Sequence, residues 1–60
     1  MDLGKRLRTA RNNSNMTQEE VAKRIGVTLQ ALSNYERGVR DPDTSTLVLL
    51  ADIYNVSTDY

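Results

Sequence analysis

Residues 17–38, TQEEVAKRIGVTLQALSNYERG, contain two short helical patterns joined at a single glycine, and the second pattern has a polar outer face. Gln30, Ser33 and Asn34 lie on that face. The amide side chains of Gln and Asn both donate and accept hydrogen bonds. A helix that only fills a core has no use for such groups. The face is therefore typical either of a solvated helix surface or of a helix that contacts a second molecule.

Side chains that commonly carry out catalysis or bind metals are scarce. The chain contains no His and no Cys, which removes the usual general base, the usual metal ligand and any thiolate site. It has no glycine-rich phosphate loop, and its carboxylates stand where helix caps and helix ends are expected. We therefore predict that the protein is not an enzyme and has no catalytic residue, metal or cofactor.

The charges are unevenly distributed, although the formal net charge is zero. All eight basic residues lie within residues 1–40, where four acidic residues oppose them. Residues 41–60 carry four acidic residues and no basic one. Such asymmetry is typical of a basic binding face backed by an acidic one. Ordinary solvated helix surfaces would give the same distribution, so charge alone leaves both interpretations open.

The length of 60 residues allows a single domain, which we place at residues 1–60. The longest apolar run, from Leu47 to Ala51, is much shorter than the roughly 20 residues that a membrane-spanning helix needs. The first residues, MDLGKRLR, do not have the pattern of a secretory signal. We therefore expect a soluble, cytoplasmic domain.

Hydrophobic periodicity and capping residues predict an all-α fold of four to five short helices. We expect them at about residues 2–13, 18–25, 29–37 and 44–54, with a fifth beginning at about 58–60. Thr17 and Glu20 have the spacing of a capping box, and Gly26 and Gly38 suit the left-handed residue that ends a helix. Because the fifth helix has barely begun at Tyr60, we expect these residues to be part of a longer protein.

The apolar faces of these helices predict one shared core. On the fourth helix, a buried stripe is predicted by apolar residues at i, i+3, i+4 and i+7, which are Leu47, Leu50, Ala51 and Tyr54. The residues that we expect to be mostly buried are Leu7, Val21, Ala22, Ile25, Val27, Leu32, Tyr35, Leu47, Leu50, Ala51 and Val56. This arrangement would leave three apolar residues on the outward face of the fourth helix, Val48, Leu49 and Ile53. Clustered exposed apolar residues often mark a partner site, so these three are a candidate protein contact.

Two short helices joined by a turn that contains Gly form the helix-turn-helix unit, whose second helix enters the DNA major groove. The segments TQEEVA, IGVT, LSNYERG and LLADIYNVS, with Pro42 between the last two, together resemble the Cro/repressor-type helix-turn-helix family of phage and bacterial regulators. This family is also called the xenobiotic-response-element family. The resemblance covers essentially the whole chain, and it implies a lambda-repressor-like fold that binds operator DNA sequence-specifically.

Taken position by position, the resemblance implies two sets of contacts with double-stranded DNA. The base-reading residues would be Leu29, Gln30, Ser33 and Asn34. The phosphate-binding residues would be Thr17, Gln18, Arg37 and Arg40. Gln and Asn can pair with adenine through two hydrogen bonds, an apolar side chain can contact the thymine methyl group, and a helix N-terminus favours phosphate.

The resemblance also implies a structural ion pair between Arg11 on the first helix and Glu36 at the end of the third. The carboxylate of Glu36 opposes the dipole of its own helix, and a nearby cation would relieve that repulsion. The alternative is two independent surface charges. Two departures from the family pattern are expected to weaken DNA binding: an apolar Leu29 where a polar residue is common, and Asp41 and Asp43 near the phosphate contacts.

These observations favour a transcriptional repressor that acts as a homodimer on a palindromic operator. An antitoxin that binds both DNA and a toxin is an alternative, as is a protein-interaction module on the same fold. The neutral net charge favours the interaction module, whereas Gln18, Gln30 and Asn34 favour DNA binding.

Overall fold

Four helices joined by short turns form the part of the chain that the structure, a computed structural model, describes. They are α1 (Leu3–Asn13), α2 (Gln18–Ile25), α3 (Leu29–Arg37) and α4 (Thr44–Thr58). The backbone is described for residues 2–58 and the side chains for residues 2–54. Residues 2–58 contain no strand, and none of their helices is long and apolar enough to cross a membrane. The predicted all-α class is confirmed.

Side chains cap the beginnings of the helices, as the sequence predicts. The hydroxyl of Thr17 accepts a hydrogen bond from the N–H of Glu20 at 3.1 Å, and the Glu20 carboxylate accepts one from the N–H of Thr17 at 2.9 Å. Thr28 and Asp43 each accept a bond of 3.0 Å from the N–H three residues further on. These bonds satisfy N–H groups that a helix leaves without an internal partner. They therefore fix where α2, α3 and α4 begin.

Residues close in sequence also determine where the first three helices end. Gly26 and Gly38 end α2 and α3 in the left-handed conformation, with φ of 77° and 76°. After α1, the Ser14 hydroxyl donates to the carbonyl of Ala10 at 2.9 Å, and Asn15 takes a positive φ of 57°. Polar side chains that bond to nearby backbone in this way compete with helix continuation. The chain between α2 and α3 is consequently reduced to a tight turn at residues 26–28.

One apolar core lies between the four helices. Its buried members are Leu7, Val21, Ala22, Ile25, Leu32, Leu50 and Tyr54. All of these except Tyr54 belong to the predicted core set, and Tyr54 belongs to the predicted buried stripe of the fourth helix. Val27, Tyr35 and Leu47 are only partly buried and pack against it. The side chain of Val56 lies outside the described residues.

The predicted buried stripe of α4 is wrong at one edge. Ala51 is exposed, whereas Ile53 is partly buried and packs against the core. The reason is that a branched side chain removes much more apolar area from water than a single methyl group does. The helix therefore turns its Ile53 edge inward, and the outward apolar pair is reduced to Val48 and Leu49.

The end of α4 also differs from the prediction. The helix continues through Thr58, beyond the expected end at about residue 54. Residues 55–58 contain neither Gly nor Pro, the residues that most firmly stop a helix. The predicted start of a fifth helix falls at residues 58–60, of which 59 and 60 lie outside the described residues.

Candidate functional site

The outer face of α3 carries the predicted base-reading residues. Leu29 is 50% exposed, Gln30 is exposed, and Ser33 and Asn34 are half-buried. The opposite face holds Leu32, which is fully buried against the other helices. Because α3 is anchored through that face, the amide-bearing face is presented to solvent in a fixed orientation.

Two amides on this face are joined to each other. The side-chain N–H of Gln30 donates to the side-chain oxygen of Asn34 at 3.1 Å. Residues four apart are neighbours on a helix surface. The bond leaves the carbonyl and second N–H of Gln30, together with the amino group of Asn34, to meet another molecule. Gln30 and Asn34 can therefore present a combined set of donors and acceptors.

At the start of α2, several hydrogen-bonding groups of Thr17 and Gln18 are already used by contacts within the protein. The N–H of Thr17 is bound by Glu20, and the Thr17 hydroxyl accepts a bond, which leaves the hydroxyl hydrogen as the group able to donate to a phosphate. The side chain of Gln18 donates to Glu36 Oε1 at 3.0 Å. An amide has two N–H groups, so Gln18 keeps a second donor for a phosphate.

Glu36 is the centre of this polar cluster. It is 2% exposed. Arg11 approaches it with two hydrogen bonds, Nε to Oε2 at 2.7 Å and Nη2 to Oε1 at 3.1 Å. The predicted pair is thus present, and the alternative of two independent surface charges is excluded. Arg11 also donates from Nη1 to the carbonyl of Met16 at 3.0 Å, which ties the pair to the turn before α2.

The charge state of Arg11 follows from this contact. Its hydrogen bond to Glu36 raises the pKa of the guanidinium above its usual value, and the opposite charge of Glu36 adds to that effect although burial opposes it. Arg11 therefore stays a cation. A carboxylate and a guanidinium paired through two parallel hydrogen bonds have a defined relative orientation, so the contact sets the angle between α1 and α3.

Two residues near Glu36 belong to the site although neither is among the predicted site residues. Arg8 places Nε 4.0 Å from Glu36 Oε1. A Cβ at Gly4 would lie 2.6 Å from the carbonyl oxygen of Glu36 and 2.7 Å from that of Tyr35. Gly4 thus allows α1 to approach the end of α3. No local sequence pattern marks either Gly4 or Arg8 as part of the site.

The predicted phosphate contacts after α3 have unequal surroundings. Arg37 is exposed at the end of the helix. Arg40 lines an open groove of about 340 Å³ together with Asn34, Asp41 and Asp43. Hydrogen bonds from Thr46 hold the pKa of Asp43 below its usual value, so this carboxylate is ionised near neutral pH. The two acidic residues offset the charge of Arg40, which leaves Arg37 better placed for a phosphate.

Comparison with known proteins places this arrangement among regulators. The sequence profile of the helix-turn-helix family matches residues 7–60. The chain is 55% identical over 60 residues to the HTH-type transcriptional regulator ImmR of Bacillus subtilis (strain 168). The aligned region covers 100% of this chain and 47% of that protein. It is 39% identical over 57 residues to the SPbeta prophage-derived uncharacterized HTH-type transcriptional regulator YonR of the same strain, covering 95% of this chain and 53% of that protein.

A third relative is named as an antitoxin. The chain is 31% identical over 55 residues to the antitoxin PezA of Streptococcus pneumoniae serotype 4, covering 92% of this chain and 35% of that protein. The chain therefore spans about half the length of ImmR and YonR and a smaller share of PezA. No solved structure matches it significantly.

Proposed function

This chain belongs to the Cro/repressor-type helix-turn-helix family, and on that basis we propose that it binds double-stranded operator DNA and regulates transcription as a repressor rather than acting as an enzyme. The observation that carries the proposal is the stripe formed by Gln30, Asn34 and Arg37 on the outward face of α3. These residues recur at i, i+4 and i+7, opposite the buried Leu32. Two amides and a cation in one stripe suit base edges flanked by phosphate.

In the proposed complex, α3 lies in the major groove and α2 lies across the backbone. Gln30 and Asn34 read base edges by hydrogen bonds, and the exposed Leu29 contacts a thymine methyl group. The hydroxyl of Thr17 and the second N–H of Gln18 meet a phosphate at the start of α2. The tight turn at residues 26–28 supports this division because it holds the two helices at a fixed angle.

The proposal extends to the assembly of the full-length protein. One recognition helix covers only a few base pairs, so sequence-specific family members use two copies on half-sites roughly 34 Å apart. We therefore propose a homodimer on a palindromic operator in the cytoplasm. Val48 and Leu49 on α4, which are 61% and 46% exposed, offer a contact surface between copies or for another protein.

Selection of bound sequences from random duplex DNA tests the proposal, since it reports both binding and the symmetry of the site. Gln30→Ala should lose about 1–3 kcal/mol on the best operator and relax the preference at one base pair. Gln18→Ala should weaken binding to all sequences alike, because phosphates carry no sequence information. An equal loss for Gln30→Ala on operator and random DNA would show that this residue does not read bases.

An antitoxin is the second candidate function, supported by the similarity to PezA and by the exposed Val48 and Leu49. In that case the chain would bind operator DNA and also a toxin. Co-expression with the product of the neighbouring gene separates the two candidates. A stable complex that Leu49→Asp abolishes while DNA binding persists would favour the antitoxin, and no complex would favour the plain repressor.

A further inference from the structure

Two guanidinium groups lie near the single carboxylate of Glu36, although one of them is enough to neutralise it. Arg11 already neutralises the carboxylate through two hydrogen bonds, and its side chain is only 14% exposed. Arg8 adds a second guanidinium at 4.0 Å, and its side chain is 52% exposed. An exposed ion pair at this distance adds little to stability. Arg8 therefore presents a surplus positive charge at the protein surface.

Arg8 and Gln18 converge on the same atom. The Oε1 atom of Glu36 accepts the hydrogen bond from Gln18 at 3.0 Å and lies 4.0 Å from Nε of Arg8. This brings a cation from α1 beside the first residue of α2. Arg8 approaches Glu36 through Nε, and a guanidinium has four further N–H groups on its two terminal nitrogens. The amide of Gln18 likewise has one further N–H to donate.

We propose that Arg8 is an additional DNA phosphate-binding residue, which acts with Gln18 as a two-donor clamp on one phosphate group. The proposal rests on the proposed function of the chain in DNA binding. A guanidinium matches the oxygens of a phosphate through parallel hydrogen bonds, and Gln18 contributes a neutral donor to the same group. The clamp is held in place by Glu36, whose side chain is 0% exposed and belongs to α3.

This arrangement also connects the two kinds of DNA contact. The carboxylate that orients Gln18 lies on the helix that carries Gln30 and Asn34, so backbone binding and base reading share one rigid frame. A phosphate held by Arg8 and Gln18 would therefore fix the position of α3 in the groove. Arg8 supplies the charge in this clamp, and Gln18 supplies a donor without charge.

The salt dependence of binding tests the clamp. Affinity for a short duplex of mixed sequence is measured over a series of salt concentrations for the unchanged 60-residue chain and for its variants. Such a duplex suffices because phosphate contacts do not depend on sequence. Arg8→Ala should reduce the slope of log affinity against log salt by about 0.9, the contribution of one neutralised phosphate. Arg8→Lys should keep the slope. Gln18→Ala should lower the affinity and leave the slope unchanged, because it removes a donor without removing a charge.

Lys23→Ala is the matched control, because it removes one positive charge from an exposed position on α2 that is more than one turn from Gln18. It should leave the slope unchanged. Arg8→Gln, which keeps most of the side-chain stem, should repeat the slope change of Arg8→Ala. Thermal melts should show all variants folded, since Arg11 still pairs with Glu36.

A wild-type slope in Arg8→Ala, or the same slope change in Lys23→Ala, would overturn the clamp while leaving DNA binding itself established. Absence of binding by the unchanged chain both to this duplex and to the pool of random duplexes would overturn the proposed function and the clamp together. The two failures are therefore distinguishable in one set of titrations.

Discussion

At the scale of single residues, the buried carboxylate of Glu36 organises the polar part of the molecule. A charge with 2% exposure is tolerated only when it is paired and hydrogen-bonded. Arg11 and Gln18 supply three hydrogen bonds between them. These bonds connect α1, α2 and α3 through one side chain, so Glu36 fixes how the helices meet more than it adds net stability.

Removal of Arg11 alone should be strongly destabilising. Arg11→Met leaves the Glu36 carboxylate buried without its close cation, and the expected cost is about 3–5 kcal/mol. That is comparable with the whole stability of a small domain. Urea denaturation followed by circular dichroism measures the loss. The double variant Arg11→Met, Glu36→Met should recover much of it, because an apolar pair replaces both charges. Equal losses in the single and double variants would argue against an ion-pair effect.

The burial of Tyr54 predicts a loss of stability in alkali. Burial, reinforced by the negative charge of Glu36, raises the pKa of Tyr54 to about 12, whereas an unfolded tyrosine titrates near 10. The folded state thus favours the neutral phenol. Its contribution is fully present below about pH 10 and is lost as the pH rises through about 12. Tyr54→Phe removes this ionisation and should unfold less steeply over that interval. Identical alkaline unfolding of the two proteins would contradict the prediction.

At the scale of helices, there is a close approach between α1 and the end of α3. It occurs at Gly4, where a side-chain carbon would overlap backbone oxygens of Tyr35 and Glu36. Backbone atoms cannot move aside as the tip of a flexible side chain can. The absence of a side chain at Gly4 therefore allows Arg11, two turns further along α1, to reach Glu36.

Gly4→Ala separates this packing requirement from helix propensity. Alanine favours a helix over glycine by about 1 kcal/mol, so propensity alone predicts stabilisation. The overlap with the α3 backbone predicts a net loss of about 1–3 kcal/mol instead, as in other overpacked cores. Thr9→Ala on the exposed side of α1 is the control and should be neutral or slightly stabilising. A thermal melt in which Gly4→Ala gains stability would show that α1 and α3 are further apart.

At the scale of the whole molecule, the net charge of zero hides a separation of charge. The basic residues lie within residues 1–40, which include α1, α2 and α3, while residues 41–60 contribute only acidic ones. A duplex would therefore attract the basic helices α1, α2 and α3, while Asp41 and Asp43, which line the groove beside Asn34 and Arg40, would weaken that attraction locally. Such a field orients a protein during encounter, and its effect weakens as salt rises.

The chain of 60 residues should be a monomer, or at most a weak dimer, in free solution. With Ile53 packed against the core, the large apolar side chains exposed on the described part of α4, up to residue 54, are Val48 and Leu49. This is small compared with the area that a stable interface buries. On palindromic DNA the chain should bind cooperatively but weakly, with affinity falling steeply as salt rises. Analytical ultracentrifugation without DNA checks the assembly, and a tight dimer at micromolar concentration would show that residues 1–60 contain a complete interface.

Local sequence patterns were sufficient to predict most of the helix bounds. Capping residues, glycine ends and hydrophobic periodicity predicted the bounds of α2 and α3, because each signal acts between residues only a few positions apart. The family motif also predicted the contact between Arg11 and Glu36. Local rules failed on α4, where Ala51 and Ile53 both satisfy a helical stripe and only packing against the other helices decides which one is buried.

Only the tertiary structure brought Arg8 and Gln18 to one oxygen of Glu36 and placed Gly4 against the end of α3. These contacts join residues far apart in the chain, so no spacing rule predicts them. They depend on how closely and at what angle α1, α2 and α3 pack. That geometry is set jointly by the core, by the absence of a side chain at Gly4 and by the paired charges of Arg11 and Glu36, and it exists only once all three helices are assembled.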